Sequence, residues 1–455
     1  MYTGRKRMQN RQWQNRLSFK ALIVLALAAL LVSACAPIAP AADSGMEMAD
    51  EGPVTITWAM WGSPAEVATH QSVADAFMEE QDDIVIEILA EPWGDYFTKI
   101  KTLWASGDSS VVPDVLFLSP IVNYASEGVL ENLDPWIEAS GYNVDDYWPS
   151  LLQYAMYDGS VYGFPRDIGL EVLYYNKDIF DEVGVPYPDD TWTWDDLTAA
   201  AEQLTVVEDS GRVSRYALGM EGGKWMIWVM QKGGMALDDM RNPSSCTLNE
   251  PGVVEAVEFF KGMIDNNYFM PPANMSQAGG DAAVFQSGQV AMIIQNASRV
   301  SAFNAAGMNY DVSVIPIPAD GHRASAAGGA AWVMSALSDN KEEAWTFLSW
   351  LQSTNGGQRI YTASGEILPA LQSTAKSDAF LNSGQPPANR QAFITEGENA
   401  RMGRIGYFVE WSQIGGSFIN PGRDQILIGE VGVADGLNSI CEQVDAFLEE
   451  NGFPK

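Results

Sequence analysis

From residue 54 onward the apolar residues switch repeatedly between a period of two and a period near 3.6, and that alternation restricts the chain to layered α/β architecture. Val54, Ile56 and Trp58 alternate as in a half-buried strand. The turn AMWGSPAE then opens a helix, with Ser63 as N-cap, Pro64 in the first position and Glu66 three residues after the cap. Val73, Ala76 and Phe77 mark its buried face. Ile84, Ile86 and Ile88 alternate again, and Trp93, Tyr96, Phe97, Ile100, Leu103 and Trp104 return to helical spacing. DVLFLS, residues 114–119, is a short, continuously apolar strand. Strands and helices alternating at these lengths predict a mostly parallel sheet covered on both faces.

The pattern recurs. Residues 172–175 read as a strand, residues 195–204 as a helix behind a Thr193 cap, and Val253, Val257, Phe260 and Ile264 as another helix. VAMII, residues 290–294, reads as a buried strand. In DVSVIPIPADG, Pro316 and Pro318 cannot complete a hydrogen-bond ladder, so the segment reads as a passage between lobes. Past GGAAWVMSA, residues 328–336, a helix is marked by Ala344, Phe347, Leu348 and Leu351, and residues 427–448 read as a helical, acidic tail. The length exceeds what one core ordinarily serves, so two lobes are expected.

The N-terminal segment is of another kind. Residues 21–32 form an apolar run too short to span a bilayer comfortably, and Arg5, Lys6, Arg7, Arg11, Arg16 and Lys20 precede it, which is the charge layout of an export signal. Val32, Ser33 and Ala34 lead into Cys35, a motif that resembles the lipobox of bacterial lipoproteins. That resemblance implies removal of residues 1–34 and a lipid on Cys35, leaving residues 35–52 as a flexible acidic stalk. Cleavage nearby, giving a free product, is the alternative. After removal of the signal, 20 basic residues face 59 acidic ones, a net charge near −39. Such a surface excludes nucleic acid as a partner, since duplex binding depends on neutralising phosphates with Lys and Arg.

Catalytic signatures are missing. The sequence holds no G-x-x-x-x-G-K-[ST] cradle, no G-x-G-x-x-G turn and no G-x-S-x-G elbow. His70 and His322 are its two histidines, neither near a cysteine, so neither a metal nor a cofactor is expected. Cys246 and Cys441 are left over, as two buried thiols or as a bridge. Carboxylates are abundant, and because a glycosidase needs only two across a cleft, a secreted carbohydrate hydrolase stays open as the enzymatic alternative.

Taken in order, TITWAMWGSP, AFMEEQDDIVIEI, WASGDSSVVPDVLFLSP, GVLENLDPWIE, VYGFPRDIGLEVLYYNKDIF, TWTWDDL, FQSGQVAMII and GGAAWVMS resemble the extracellular solute-binding proteins of ATP-binding-cassette importers. The sugar-binding branch that includes maltose-binding proteins is the nearest group. The resemblance implies a periplasmic-binding-protein-like fold: two α/β lobes with a ligand cleft and a hinge, taken here as residues 54–163 with 317–362 and residues 164–316 with 363–455. It implies a receptor without enzymatic activity, read as a monomer, that delivers a sugar to a membrane permease and is held beside it by lipid on Cys35. A polyamine or a glycerol phosphodiester is the alternative solute.

Ligands of open α/β sheets sit beyond the carboxyl ends of strands. By that rule Trp61 and Ser119 face the cleft, and Asn296 follows VAMII. Glu66 is either a ligand contact or the cap partner of Ser63. Arg166 and Asp167, at the first crossing, are the polar pair for sugar hydroxyls, or a structural ion pair. Trp225 and Trp228 lie three apart on one helix, so one is expected to face the cleft, and Trp225 is the choice. Gly328 and Gly329 either let backbone approach a ligand closely or only ease a turn. Family habit places an aromatic late in the chain, which selects Glu410 and Trp411, with Tyr407 and Phe408 competing.

Overall fold

The computed structural model describes residues 52–62, 64–326, 329–364, 367–401, 403 and 406–455. The expectations for the export signal, Cys35 and the stalk fall outside these residues, as do Ser63 and Gly328. In chain order the elements that position the site are β1 (Val54–Trp61), α1 (Pro64–Glu80), β2 (Ile84–Glu91), α2 (Trp93–Ser106), β3 (Val115–Leu118), β4 (Gly163–Pro165), β5 (Val172–Asn176), α3 (Trp194–Leu204), β6 (Val206–Val207) and β7 (Val213–Gly219). There follow α4 (Met226–Gln231), α5 (Pro251–Asp265), β8 (Val290–Gln295), α6 (Val300–Ala305), β9 (Tyr310–Ser313), β10 (Ser325–Ala326), β11 (Ala331–Met334), α7 (Lys341–Leu351), α8 (Gly357–Ser364), α9 (Gln391–Glu398), β12 (Ala400–Arg401) and α10 (Val433–Glu450).

Two five-stranded sheets organise these elements, one per lobe. The first has the order β2, β1, β3, β11, β4, and the second β9, β5, β8, β7, β6. Helix-linked strands run parallel: β1 beside β2 from Val54↔Ile84 to Trp61↔Glu91, and β1 beside β3. The expectation of a mostly parallel sheet holds in the first, where only β11 is reversed, antiparallel to both β3 and β4; the second is mixed, with β5 antiparallel to both β8 and β9 and β6 antiparallel to β7. β5 and β11 enter from the other lobe. A helical crossover would have set their direction, and neither strand is reached through one.

The proline-broken segment behaves as its chemistry requires. Its first residues form β9 at the edge of the second sheet, where only β5 needs a partner, and Pro316 and Pro318 fall beyond the strand on the way to β11. In α3 the Thr193 hydroxyl and the Asp196 carboxylate cap each other's backbone N–H groups. The acidic tail is shorter than expected: α10 starts at Val433, and Gly429, in a left-handed conformation with φ of 79°, separates it from the preceding helix.

Ile56, Trp58 and Phe117 begin one apolar core that continues through the crossing residues Ile168 and Leu170 to Tyr174 and Ile293 of the second sheet. A second core, around Trp194, Leu218, Trp228 and Phe260, lies under α3 and α5. Cys246 and Cys441 are joined there by a disulfide with Cα atoms 5.0 Å apart, which settles the open choice in favour of a bridge.

Candidate functional site

A cleft of about 880 Å³ collects the ends of strands from both sheets. Trp61 ends β1, Ser119 follows β3, Arg166 follows β4 and Asn296 follows β8. The reversed strands β5 and β11 obey the same geometry from the other direction. Antiparallel β11 brings its amino end, Gly329 and Ala330, to this rim, and β5 brings Gly169. A Cβ on Gly329 would stand 3.1 Å from the Asp167 carbonyl oxygen, so the close approach of the two crossings favours glycine.

The wall from the first sheet is aromatic. Trp61 stacks on Phe117 with ring centroids 4.4 Å apart and meets Trp93 edge-on at 4.8 Å. Trp93 is 58% exposed, an unusual state for an indole and one that leaves a flat apolar face toward solvent. The Arg166 guanidinium carbon lies 4.5 Å from the centre of the Phe117 ring. Arg166 Nε donates to Asp167 Oδ2 at 2.6 Å, so the expected polar pair exists as an ion pair, and both residues line the cleft. Burial opposes the Arg166 charge, but the Asp167 carboxylate, Tyr361 and Glu66 outweigh it and hold the guanidinium above its ordinary range.

Polar groups behind this wall are already organised. Ser119 Oγ donates to the Gly329 carbonyl at 3.0 Å and is 2.9 Å from the Tyr154 hydroxyl. His70 Nδ1 is 2.6 Å from the Tyr361 hydroxyl. Burial, seconded by the Arg166 charge, lowers His70 to about 3, so the imidazole is neutral at physiological pH. The opposite wall is made of small residues, Ala297, Ser298, Ser301, Ala302 and Ala305, with Arg299 among them. Arg299 donates to both oxygens of Asp281, at 3.1 and 3.2 Å. Burial would raise the Asp281 carboxyl, yet Arg299, a hydrogen bond from Gln295 and the Lys224 charge hold it below its usual range.

Of the residues selected from sequence, Trp61, Glu66, Ser119, Arg166, Asp167, Asn296 and Gly329 line one cleft. Three do not. Trp225 is 3% exposed and Trp228 1%: Trp225 ends the 3₁₀ turn Gly222–Trp225 that leads into α4, and every residue of α4 is buried, Gln231 included, so neither indole has a face left for a cleft. Glu410 pairs with Lys455, and Trp411 packs on Phe408 with centroids 6.3 Å apart. Of the late aromatics, Tyr407 comes nearest, edge-on to Tyr154 at 5.1 Å. The sequence reading missed Trp93, Tyr154, Tyr361, His70 and Arg299 as lining residues. For Trp93 the signal was available: it follows the carboxyl end of β2, where the rule used for Trp61 applies.

The family model of the bacterial extracellular solute-binding proteins matches residues 72–388. The chain belongs to that family. This solute-binding protein is 25% identical to a binding protein of Brucella abortus over 412 residues, which are 88% of this chain and 95% of the relative. It is 25% identical over 370 residues to the galactooligosaccharide-binding protein of Bacillus subtilis, covering 80% and 84% of the two chains. An ABC substrate-binding protein of Listeria monocytogenes, solved in complex with cycloalternan, superposes with a TM-score of 0.74 at 24% identity, over 87% of this chain and 99% of that one. That likeness establishes the shared two-lobed fold. These relatives are binding proteins and not enzymes, and the family is extracellular. Among the described residues no helix is long and apolar enough to cross a membrane.

Proposed function

We propose that this solute-binding protein holds a sugar, an oligosaccharide or a glycoside, between its lobes and delivers it to the permease of an ATP-binding-cassette importer. One observation carries this reading: the solvent-facing Trp93 ring set edge-on to the Trp61–Phe117 stack, beside the Arg166 and Asp167 pair. A pyranose has flat C–H faces and a rim of hydroxyls, and such a surface meets both needs at once. Asn296 and Arg299 on the opposite wall supply further donors to hydroxyls once the lobes close. Closure then follows because the solute touches both walls only in the closed state. The relative that binds galactooligosaccharide supports the same class. The lobes are residues 54–163 with 317–362 and residues 164–316 with 363–455, and the protein works as a monomer.

Binding is tested by tryptophan fluorescence and thermal unfolding against neutral oligosaccharides, polyamines and glycerol phosphodiesters. A neutral oligosaccharide at a hundred times its Kd should stabilise the fold by about 2.7 kcal/mol through mass action and be recovered unchanged. A response to a phosphodiester or a polyamine alone overturns the solute class, and release of shorter sugars overturns the receptor in favour of the hydrolase. Lipid on Cys35 would anchor the protein at the outer face of the membrane. Cys35→Ala is then expected to move it from the membrane fraction of cells to the soluble one, and retention in the membrane fraction would remove the anchor from the reading.

A further inference from the structure

Among the described residues three passages link the two lobes: from β4 to β5, from β9 to β11, and between α8 and α9. Beside the cleft the first and third passages are tied by the Ile168 N–H, which donates to the Leu368 carbonyl at 3.1 Å. A second tie belongs to no part of the cleft lining. Glu396, on α9, has no solvent exposure. Its Oε1 accepts the Ile315 N–H at 2.8 Å and Arg323 Nη1 at 2.8 Å, and its Oε2 accepts the Ser325 hydroxyl at 2.9 Å. Arg323 Nη1 also reaches the Ile315 carbonyl at 2.9 Å, and Ser325 Oγ lies 3.4 Å from the Glu171 carbonyl of the first passage.

We propose that Glu396 is a positioning residue for lobe closure, a single buried carboxylate that gathers the passages between the lobes and limits how far the cleft opens. An ion pair within one lobe would stiffen that lobe alone. This one joins the second passage, at Ile315, Arg323 and Ser325, to α9, the helix that receives the third, and lies against the first through Ser325. Hinge motion is absorbed by a few residues in such connections, so a group bonded to several of them biases the open state directly. Burial raises the Glu396 carboxyl, and Arg323, the Ile315 N–H and Ser325 work against that rise, so the charged form depends on all three partners. The inference rests on the two-lobed fold and needs no particular solute.

Inter-lobe distances in the ligand-free, full-length protein test it. Spin labels at Glu87→Cys and Glu202→Cys, in a chain with Cys35→Ser, report across the lobes, while a pair at Glu87→Cys and Glu127→Cys reports within the first. Adding Glu396→Gln should broaden the inter-lobe distribution and shift it outward, with the within-lobe distribution unchanged. Ser325→Ala, which removes one hydrogen bond and no charge, should shift it the same way by less, and it decides the matter if Glu396→Gln does not fold. An unchanged inter-lobe distribution overturns the proposal, and so does equal broadening of both pairs, which would make Glu396 a core residue with no part in the hinge.

Discussion

Replacing both half-cystines, Cys246→Ala with Cys441→Ala, is expected to lower unfolding stability by about 5 kcal/mol, at the upper end of what one bridge supplies. The bridge spans 195 residues of sequence, and cross-linking so long a loop removes much of the freedom of the unfolded chain. Both partners sit in the second core, Cys246 7% and Cys441 2% exposed, so the native state loses two sulfur atoms of packing as well. Cys246 N–H also donates to Asp445 Oδ1 of α10, a contact that depends on the two segments staying together. Neither cysteine lines the cleft, so solute affinity at low temperature should stay unchanged. Urea titration with and without reductant measures the effect. A midpoint shared by the two forms would mean that the segment around Cys246 and α10 hold together without the bond.

The fold was readable where the hydrophobic period is clean. β1, β2, β3 and β8 carry unbroken apolar signals, and Thr193 with Asp196 announces α3. Strand direction was not readable, because period and propensity are the same for a parallel and an antiparallel strand. What reversed β5 and β11 is the route of the chain between lobes, a long-range fact. The site divides in the same way. Residues at strand ends, Trp61, Ser119, Arg166 and Asn296, could be placed by rule, whereas Tyr154 and Tyr361 reach the cleft from helices that only tertiary packing puts there. Tryptophan was the least informative residue type. Trp225 and Trp93 look alike in sequence, and the difference between 3% and 58% exposure comes from what packs around each: Trp225 leads into a helix buried on every side, whereas Trp93 opens a helix that keeps an exposed face.

The cleft arginine offers the sharpest separation of folding from binding. Arg166→Met leaves the Asp167 carboxylate, whose side chain is only 13% exposed, without its cation, and is expected to cost about 3 kcal/mol of stability. It also removes the donors beside the Trp61–Phe117 stack, so affinity for the solute found in the panel should fall about a hundredfold, the loss that accompanies charged hydrogen bonds of about 2 to 3 kcal/mol. Taken alone, that double loss would not distinguish a binding residue from a structural one. Adding Asp167→Asn resolves it, because replacing both members of a buried pair is often close to neutral where removing one is not. The double variant should therefore regain most of its urea midpoint, yet bind no better than Arg166→Met. Recovery of binding together with stability would make the pair purely structural and move solute recognition to Trp93, Asn296 and Arg299. Recovery of neither would mean that the Phe117 ring, 4.5 Å from the guanidinium carbon, needs the guanidinium itself packed on it, since Met keeps most of the aliphatic stem.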